Sequence, residues 1–237
     1  MPIYKYLIFD VDDTLLDFYP AFVTAQRNIA EKLGIDPSDE YLEKDEKCDW
    51  KAWEESGLDK TEEKDVQENY HVYYYQYLRK HFEYLSEAYG KVYDVQELVD
   101  CYLQSISLSK VAKESDTLDI YMKLSERYKL VLATNGLERV QKERLSDFLP
   151  YTHKLYISEK IGFIKPTRDF YSYVISDLKC RIEECLMVGD SITNDIAGAK
   201  AIGMDVCYYN PKDKSKPENA LVDYEIRHIH DLVCILL

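Results

Sequence analysis

Two carboxylates one residue apart, Asp10 and Asp12, stand where an apolar segment of the chain ends. The segment Tyr4 to Phe9 is short, rich in aromatic and branched residues, and stops abruptly at Asp10-Val11-Asp12-Asp13-Thr14. This pattern predicts a buried strand followed by a polar loop. At the end of a strand, one carboxylate can attack an electrophile while the other gives and takes protons. A capped acidic turn has the same composition, so the pair alone leaves both interpretations open.

Two later segments carry groups that suit a phosphate. Thr134-Asn135-Gly136 follows an apolar run, and a hydroxyl with adjacent backbone N–H groups leading into a helix can bind phosphate. The same three residues also form ordinary turns and helix caps. Lys165 precedes Pro166, which restricts the lysine backbone, and its ammonium can hold a phosphoryl oxygen.

A second acidic group follows the apolar run Leu186 to Val188. Asp190 lies where the predicted strand stops, and Asp195 lies just inside the helix predicted after it. If these carboxylates meet Asp10 and Asp12, they form the oxygen-rich type of site that Mg2+ prefers. A helix cap formed at Asp190 is compatible with such a site.

Strands and helices alternate through the C-terminal part of the chain, and they determine whether these groups can meet. Further predicted strands are Lys129 to Ala133, Leu155 to Ile157, Leu186 to Val188 and Val206 to Tyr209. Helical patterns between and around them cover Asp116 to Tyr128, Glu138 to Phe148, Thr167 to Leu178 and Ile192 to Ile202. The alternation predicts an α/β fold with a Rossmann-like parallel sheet and helices on both faces. Ligands of such sheets gather beyond the C-terminal ends of the strands.

The segment 18–109 has a different pattern and is predicted to be an inserted, all-helical cap. It contains no convincing strand, is rich in Glu, Lys and Tyr, and holds long amphipathic patterns such as Val66 to Glu87. Its many tyrosines, among them Tyr73-Tyr74-Tyr75, favour packing within a helical bundle over a surface that stacks on a substrate. The predicted domains are therefore an α/β core, 1–17 and 110–237, and a helical cap, 18–109.

Composition narrows the class of partner. The 237 residues carry a formal net charge of −14, which disfavours nucleic-acid polymers and anionic membranes. The first residues lack a signal-peptide pattern, and no apolar run approaches the roughly 20 residues that span a bilayer. Six cysteines occur without a C-x-x-C pair, as is typical of reduced thiols in a cytoplasmic protein. No pattern in the sequence points to a particular oligomeric state.

Taken in order and spacing, the four motifs resemble those of the haloacid dehalogenase-like (HAD) hydrolase superfamily. The matching residues are Asp10-Val11-Asp12-Asp13-Thr14, Thr134, Lys165-Pro166 and Gly189-Asp190-Ser191 with Asp195. The insert resembles the helical cap of the family's first subfamily, which closes over the active site. We therefore expect hinges near Leu16–Phe18 and Ser109–Glu114.

The resemblance implies a role for each residue of the motifs. Asp10 would form an aspartyl-phosphate, and Asp12 would act first as acid and then as base. Mg2+ would be held by Asp10, the backbone carbonyl of Asp12 and Asp190, with Asp195 orienting metal-bound water. Oxygens of the phosphate would be bound by Thr134, Asn135 and Lys165.

One departure from the family pattern suggests a branch of it. The family usually has glycine after the second aspartate, where this chain has Asp13. That variant, with Thr134-Asn135-Gly136 and Cys207 to Pro211, resembles bacterial pyrimidine 5′-nucleotidases and implies a small phosphorylated metabolite as substrate, a nucleoside 5′-monophosphate.

Four other functions are alternatives. A sugar-phosphate phosphatase or a phosphomutase of the same superfamily would use the same residues. A haloacid dehalogenase would use Asp10 but would not need Asp12. A phospho-aspartate signalling module would place its acidic pair a whole strand–helix unit earlier and would lack the cap.

Overall fold

Short apolar segments of the chain form a parallel sheet in the computed structural model, which describes residues 4–215 and 221–237. The strands are β1 (Tyr6–Phe9), β2 (Lys129–Thr134), β3 (Thr152–Ile157), β4 (Cys185–Gly189), β5 (Asp205–Tyr209) and β6 (Tyr224–Ile226). Their order across the sheet is β3-β2-β1-β4-β5-β6, and every neighbouring pair is parallel. The chain leaves β1 in one direction and later returns to pair β4 on its other side. The crevice between β1 and β4 is therefore the switch point at which such sheets bind ligands.

Helices cover both faces of this sheet and form the inserted segment. Their bounds are α1 (Phe18–Leu33), α2 (Asp39–Ser56), α3 (Lys64–Glu68), α4 (Tyr70–Ala88), α5 (Val95–Leu108), α6 (Thr117–Ser125), α7 (Glu138–Arg144), α8 (Ser158–Ile161), α9 (Arg168–Leu178), α10 (Gly198–Lys200) and α11 (Asp231–Leu236). A π-helix, Ile192–Ala197, precedes α10, and short 3-10 helices lie at Leu149–Tyr151 and Ile182–Glu184.

Alternate side chains of each strand enter two separate apolar clusters. Leu7 and Phe9 of β1 face a cluster that α6 and α11 complete, whereas Ile8 faces a cluster that α9 and α10 complete. Because both faces are covered, β1, β4 and most of β2 are buried along their length. This accounts for the continuous apolar runs in the sequence. The predicted α/β fold with helices on both faces is confirmed.

Several element bounds differ from the predicted ones. Strand β6 was not predicted, because three residues at the edge of the sheet leave too short a pattern to recognise. Strand β3 begins at Thr152, before the predicted Leu155. Its first residues are only partly buried and carry polar side chains, so the apolar pattern does not include them. Helix α7 ends at Arg144, before the predicted Phe148. The pattern Val66 to Glu87 is divided between α3 and α4, with a break at Asn69.

All of the secondary-structure elements in the segment 18–109 are helices, and the segment has an apolar cluster of its own. Helices α1, α2, α4 and α5 supply most of that cluster, as their amphipathic patterns predict. Side chains of Ser38 and Asp94 accept hydrogen bonds from the first turns of α2 and α5. Leu137 and Val140, from the start of α7, also belong to this cluster, so α7 packs on the helical segment.

Two linkers join the helical segment to the sheet, and they lie side by side. The first linker (residues 13–17) follows β1, and the second linker (residues 109–114) follows α5. Leu16 and Ala112 pair in antiparallel fashion, and the Asp17 N–H donates to the Val111 carbonyl at 2.8 Å. The Lys113 ammonium lies 2.8 Å from an Asp13 oxygen and 3.1 Å from an Asp17 oxygen. The two segments in which hinges were predicted are therefore joined to each other by hydrogen bonds, and Lys113 forms ion pairs between them.

Candidate active site

The acidic residues after β1 and β4 meet because the two strands are neighbours in register. Phe9 pairs with Val188, and the Asp10 N–H donates to the Val188 carbonyl at 2.9 Å. Asp10 and Asp190 therefore leave the sheet side by side, at the crevice between β1 and β4. The main chain at Asp13 has a φ of 64°. This left-handed conformation favours glycine, and aspartate tolerates it better than most residues do.

Lys165 is the buried cation of the site. Its ammonium lies 2.5 Å from Asp10 Oδ1 and 2.7 Å from Asp195 Oδ1. Burial by itself lowers the pKa of Lys165, but Asp10 and Asp195 outweigh it, so the net shift is upward. The lysine therefore stays charged and fixes the direction of the Asp10 carboxylate.

The carboxylates of the site outnumber the cations. Burial raises the pKa of Asp10 above the usual carboxyl range, with Asp195 adding to the effect and Lys165 opposing it. Burial, together with Asp10 and Asp13, raises the pKa of Asp190 to about 6. Both shifts have the same physical cause, which is negative charge concentrated in a place with little solvent. Such a place favours an added cation.

Oxygen atoms of Asp10, Asp190 and Asp195 all lie within 4.8 Å of one another, so this cluster could hold a metal ion. Both Asp195 oxygens already have partners, Lys165 and the Ser191 N–H at 3.0 Å. The Asp190 carboxylate accepts a long hydrogen bond, 3.4 Å, from the Thr14 hydroxyl. An all-oxygen set with excess negative charge fits a hard divalent cation, and Mg2+ is usually bound through a few carboxylates together with substrate phosphates.

The residues of the predicted phosphate site face the same space. The Thr134 hydroxyl is buried and accepts a hydrogen bond from Gln141 Nε2 at 3.1 Å. The Asn135 side chain makes two hydrogen bonds to the main chain of Lys165, donating at 2.9 Å and accepting at 2.8 Å. In this structure Asn135 therefore fixes the position of Lys165, and phosphate binding by its side chain stays a prediction.

The Asp12 carboxylate is bound by two side chains of α7. One of its oxygens accepts from Arg144 Nη1, and the other accepts from Gln141 Nε2 at 2.7 Å. Its side chain is 29% exposed, whereas Arg144 is 1% exposed. The carboxylate that the sequence assigns to acid and base chemistry is thus held by two side chains of one helix.

Two adjoining cavities contain these groups. A small cavity of about 180 Å³ is lined by Asp10, Asp12, Thr134, Asn135, Lys165, Asp190, Ser191, Asn194 and Asp195. All seven predicted site residues are among them. A larger cavity of about 570 Å³ lies between the helical segment and the sheet region, and Asp12, Asn135 and Asn194 line both. Aromatic side chains of Phe18, Trp53, Tyr70 and Tyr74 line the larger one. Some tyrosines therefore face a cavity that is large enough for a small metabolite, in addition to the predicted packing within the bundle.

Two residues of the site, Gln141 and Arg144, were not predicted from the sequence. Both lie on the buried face of α7, in helical spacing with Leu137 and Val140. Polar residues at positions where periodicity predicts apolar ones are the signal that could have revealed them.

The haloacid dehalogenase-like hydrolase family matches residues 4–203, which is well over half of the chain. This chain belongs to that family. The matched region includes the helical segment, the ends of β1, β2 and β4, and all seven predicted site residues. The prediction of a hydrolase of this superfamily is confirmed.

Individual relatives resemble this hydrolase over nearly its full length. The HAD-hydrolase YfnB of Bacillus subtilis is 29% identical over 239 residues, covering 98% of this chain and 95% of YfnB. The pyrimidine 5′-nucleotidase PynA of Streptococcus pneumoniae is 29% identical over 238 residues, covering 97% of this chain and 94% of PynA.

Solved structures of the family resemble the fold in the same way. A crystal structure of YfnB bound to magnesium superposes with a TM-score of 0.82 at 28% identity, covering 98% of both chains. A 2-haloacid dehalogenase of Pseudomonas syringae superposes with a TM-score of 0.71 at 25% identity, again covering 98% of both chains. Within residues 4–215 and 221–237, no helix of this hydrolase combines the length and apolar composition needed to cross a membrane.

Proposed function

We propose that this hydrolase is a Mg2+-dependent phosphomonoesterase that works through a phosphorylated Asp10. The observation that carries the proposal is the convergence of Asp10, Lys165, Asp190 and Asp195 with Asp12 around one small cavity. A nucleophilic carboxylate, a buried ammonium, an oxygen-rich cation site and a second carboxylate are together the parts that phosphoryl transfer requires.

In the first step an Asp10 oxygen attacks phosphorus and the bond to the ester oxygen breaks. Asp12 donates its proton to the departing alkoxide, which leaves as an alcohol, and Asp10 carries the phosphoryl group. Lys165 and the Thr134 hydroxyl stabilise charge on the phosphoryl oxygens, where it is spread in the transition state. Asp12 supports this reaction over haloacid dehalogenation, which needs no carboxylate at that position.

In the second step water attacks phosphorus and gives a proton to Asp12. The bond to Asp10 breaks, orthophosphate leaves, and both carboxylates return to their starting forms. Asp10, the Asp12 carbonyl and Asp190 would hold Mg2+, with Asp195 orienting water beside them. When bound, the ion supplies positive charge that offsets repulsion between the anionic nucleophile and the anionic ester.

The substrate class we propose is nucleoside 5′-monophosphates, with pyrimidines preferred. The aromatic residues of the larger cavity suit a flat ring, because bases stack on aromatic side chains. The cavity shares Asp12 with the small cavity, so a nucleoside stacked in the larger cavity with its phosphate in the small one would have this carboxylate between them. Similarity to the pyrimidine 5′-nucleotidase PynA supports the same class.

The test is release of phosphate from a panel of esters with and without Mg2+. The panel contains pyrimidine and purine nucleoside 5′-monophosphates, sugar phosphates and p-nitrophenyl phosphate. Asp10→Asn removes the nucleophile, so we expect turnover to fall by about a thousandfold or more. Asp169→Asn, a matched change at an exposed position in the first turn of α9, should leave turnover unchanged.

Each outcome bears on a separate part of the proposal. Metal-dependent release that favours pyrimidine monophosphates supports both mechanism and substrate. Preference for sugar phosphates keeps the mechanism and rejects the substrate class. Near-normal turnover by Asp10→Asn rejects the covalent mechanism, and absence of release from every ester rejects the phosphatase proposal.

A further inference from the structure

Helix α7 reaches both oxygens of Asp12. Arg144 Nη1 donates to one oxygen, and Gln141 Nε2 donates to the other at 2.7 Å. The same Gln141 nitrogen donates to the Thr134 hydroxyl at 3.1 Å, so one side chain joins Asp12 to the predicted phosphate site. With both oxygens engaged, the carboxylate of Asp12 has a direction fixed by α7.

Arg144 also contacts the first and last residues of the helical segment, Phe18 and Ser109. Its Nε donates to the carbonyl of Ser109, the first residue of the second linker, at 3.3 Å. Its guanidinium lies 5.6 Å from the centre of the Phe18 ring, where the first linker enters α1. At that distance a cation is attracted to the face of an aromatic ring. One buried side chain therefore contacts Asp12 and both ends of the helical segment 18–109.

The arrangement has unused hydrogen-bonding capacity in a buried place. Among the described residues, Arg144 Nη2 and Gln141 Oε1 are buried polar atoms without a hydrogen-bond partner. Leaving such atoms unpaired is costly. Both residues line the larger cavity, so an alternative arrangement, or a bound ligand, can satisfy those atoms.

We propose that Arg144 is a positioning residue, which sets the direction of the Asp12 carboxylate according to the position of the cap linkers. This rests on the proposed function, in which Asp12 serves the leaving group. When the linkers move, the contacts of Arg144 to Ser109 and Phe18 change, and Asp12 moves with them. Gln141 keeps the same carboxylate aligned with Thr134.

The first test uses leaving groups that differ in their need for a proton. Arg144→Met removes the guanidinium but keeps an unbranched apolar side chain. We expect kcat/KM for a nucleoside monophosphate to fall by about 10- to 100-fold, because a misplaced acid loses much of its effect. For p-nitrophenyl phosphate, whose leaving group needs no proton, the loss should stay within about threefold. Arg139→Gln, which removes the same charge from an exposed position of α7, should change neither value.

Two comparisons separate positioning from a general loss of structure. In an Asp12→Asn background, Arg144→Met should lower kcat/KM by less than about a further threefold. The reason is that the effects of residues that act as a unit are not additive. Arg144→Lys keeps a cation without the forked geometry, and should show a smaller loss with the same dependence on leaving group. Equal losses of kcat/KM on both esters would overturn the proposal. A full additional loss in the Asp12→Asn background would also overturn it.

A second measurement does not depend on activity. Hydrogen exchange of the Asp17 and Lys113 amides reports pairing of the two linkers, since these amides bond to Val111 and Leu15. Both Arg144→Met and Asp12→Asn should speed that exchange by about tenfold, because each removes an anchor of the same buried contact. If neither variant speeds it, Arg144 does not tie Asp12 to the linkers. This result stands even if no ester is hydrolysed, in which case the proposed function alone fails.

Discussion

At the scale of single residues, the site depends on how closely Asp195 approaches the end of β4. A methyl group placed on Gly189 would overlap the side-chain carboxylate of Asp195, which is fully buried. The φ of Gly189 is not in the left-handed region, so glycine is needed at this position for space and not for its conformation. Since Asp195 in turn holds Lys165, the consequences of a substitution reach the cation of the site.

We predict that Gly189→Ala displaces Asp195 and with it Lys165. A misplacement of about 1 Å can cost roughly 100-fold in rate, so turnover should fall by about that factor. Overpacking should also lower the free energy of unfolding by about 1–3 kcal/mol. Phosphate release and urea unfolding measure the two effects. Full activity in this variant would mean that the position of Asp195 is unimportant.

At the scale of elements, α4 carries a charged network into the centre of the helical segment. His81 is 1% exposed, its Nε2 lies 2.9 Å from Asp45 of α2, and its Nδ1 lies 3.3 Å from Asp49. Gln26 of α1 donates to the other oxygen of Asp45 at 2.7 Å, and Tyr77 donates to Asp49. The network connects three helices of the cap. Each helix contributes a polar group that would be costly to bury alone.

The network predicts a pH dependence of stability. Burial by itself lowers the pKa of His81, but Asp45 and Asp49 outweigh it, so the net shift is upward. A histidine whose folded pKa is raised stabilises the fold below its unfolded pKa, about 6.5, and this contribution is lost as pH rises through the folded pKa. The advantage of the wild type over His81→Gln in thermal unfolding should therefore be largest in acid and shrink above neutral pH.

A control on the same helix isolates the effect. His71 lies near the start of α4 and is partly exposed, so His71→Gln measures the effect of removing a histidine of this helix outside its buried centre. If the advantage over His81→Gln grew with pH instead, His81 would have to be neutral in the folded protein.

At the scale of the whole molecule, the larger cavity exists because the cap and the sheet region lie against each other. Trp53 and Tyr74 come from the cap, while Asn135 and Arg144 come from the sheet region. The substrate's phosphate and its leaving group would thus be bound by different parts of the chain. Movement of the cap would then change the contacts to the leaving group and leave the phosphate site unchanged.

The two tryptophans of the chain allow a matched test of this division. Trp53 lines the larger cavity and packs edge-on against Tyr77, whereas Trp50 of the same helix is 59% exposed. Because stacking on one base is worth about 1–3 kcal/mol, we expect Trp53→Ala to raise KM for pyrimidine monophosphates about 10-fold or more. Methyl phosphate, which has no ring to stack, should be hydrolysed at an unchanged rate. Trp50→Ala should alter neither substrate, and equal effects of both variants would place the base elsewhere.

The sequence by itself determined the α/β fold and the group of residues at the strand ends. Asp10, Thr134 and Asp190 could be found because each ends an apolar run, and parallel strands present their C-terminal ends at one edge of the sheet. Lys165 and Asp195 were found from spacing and from the resemblance of the motifs. These signals are local, so a single sequence carries them.

Only the tertiary structure decided which partners these residues have. The direction of Asp12 depends on Arg144 and Gln141, which are more than a hundred residues away and look like ordinary helix residues in the sequence. Phosphate binding by Asn135 stays a prediction, and only the structure reveals that its side chain holds the main chain of Lys165. Partners of this kind depend on how the cap, α7 and the sheet pack together, and packing between distant segments leaves no periodic pattern in the sequence.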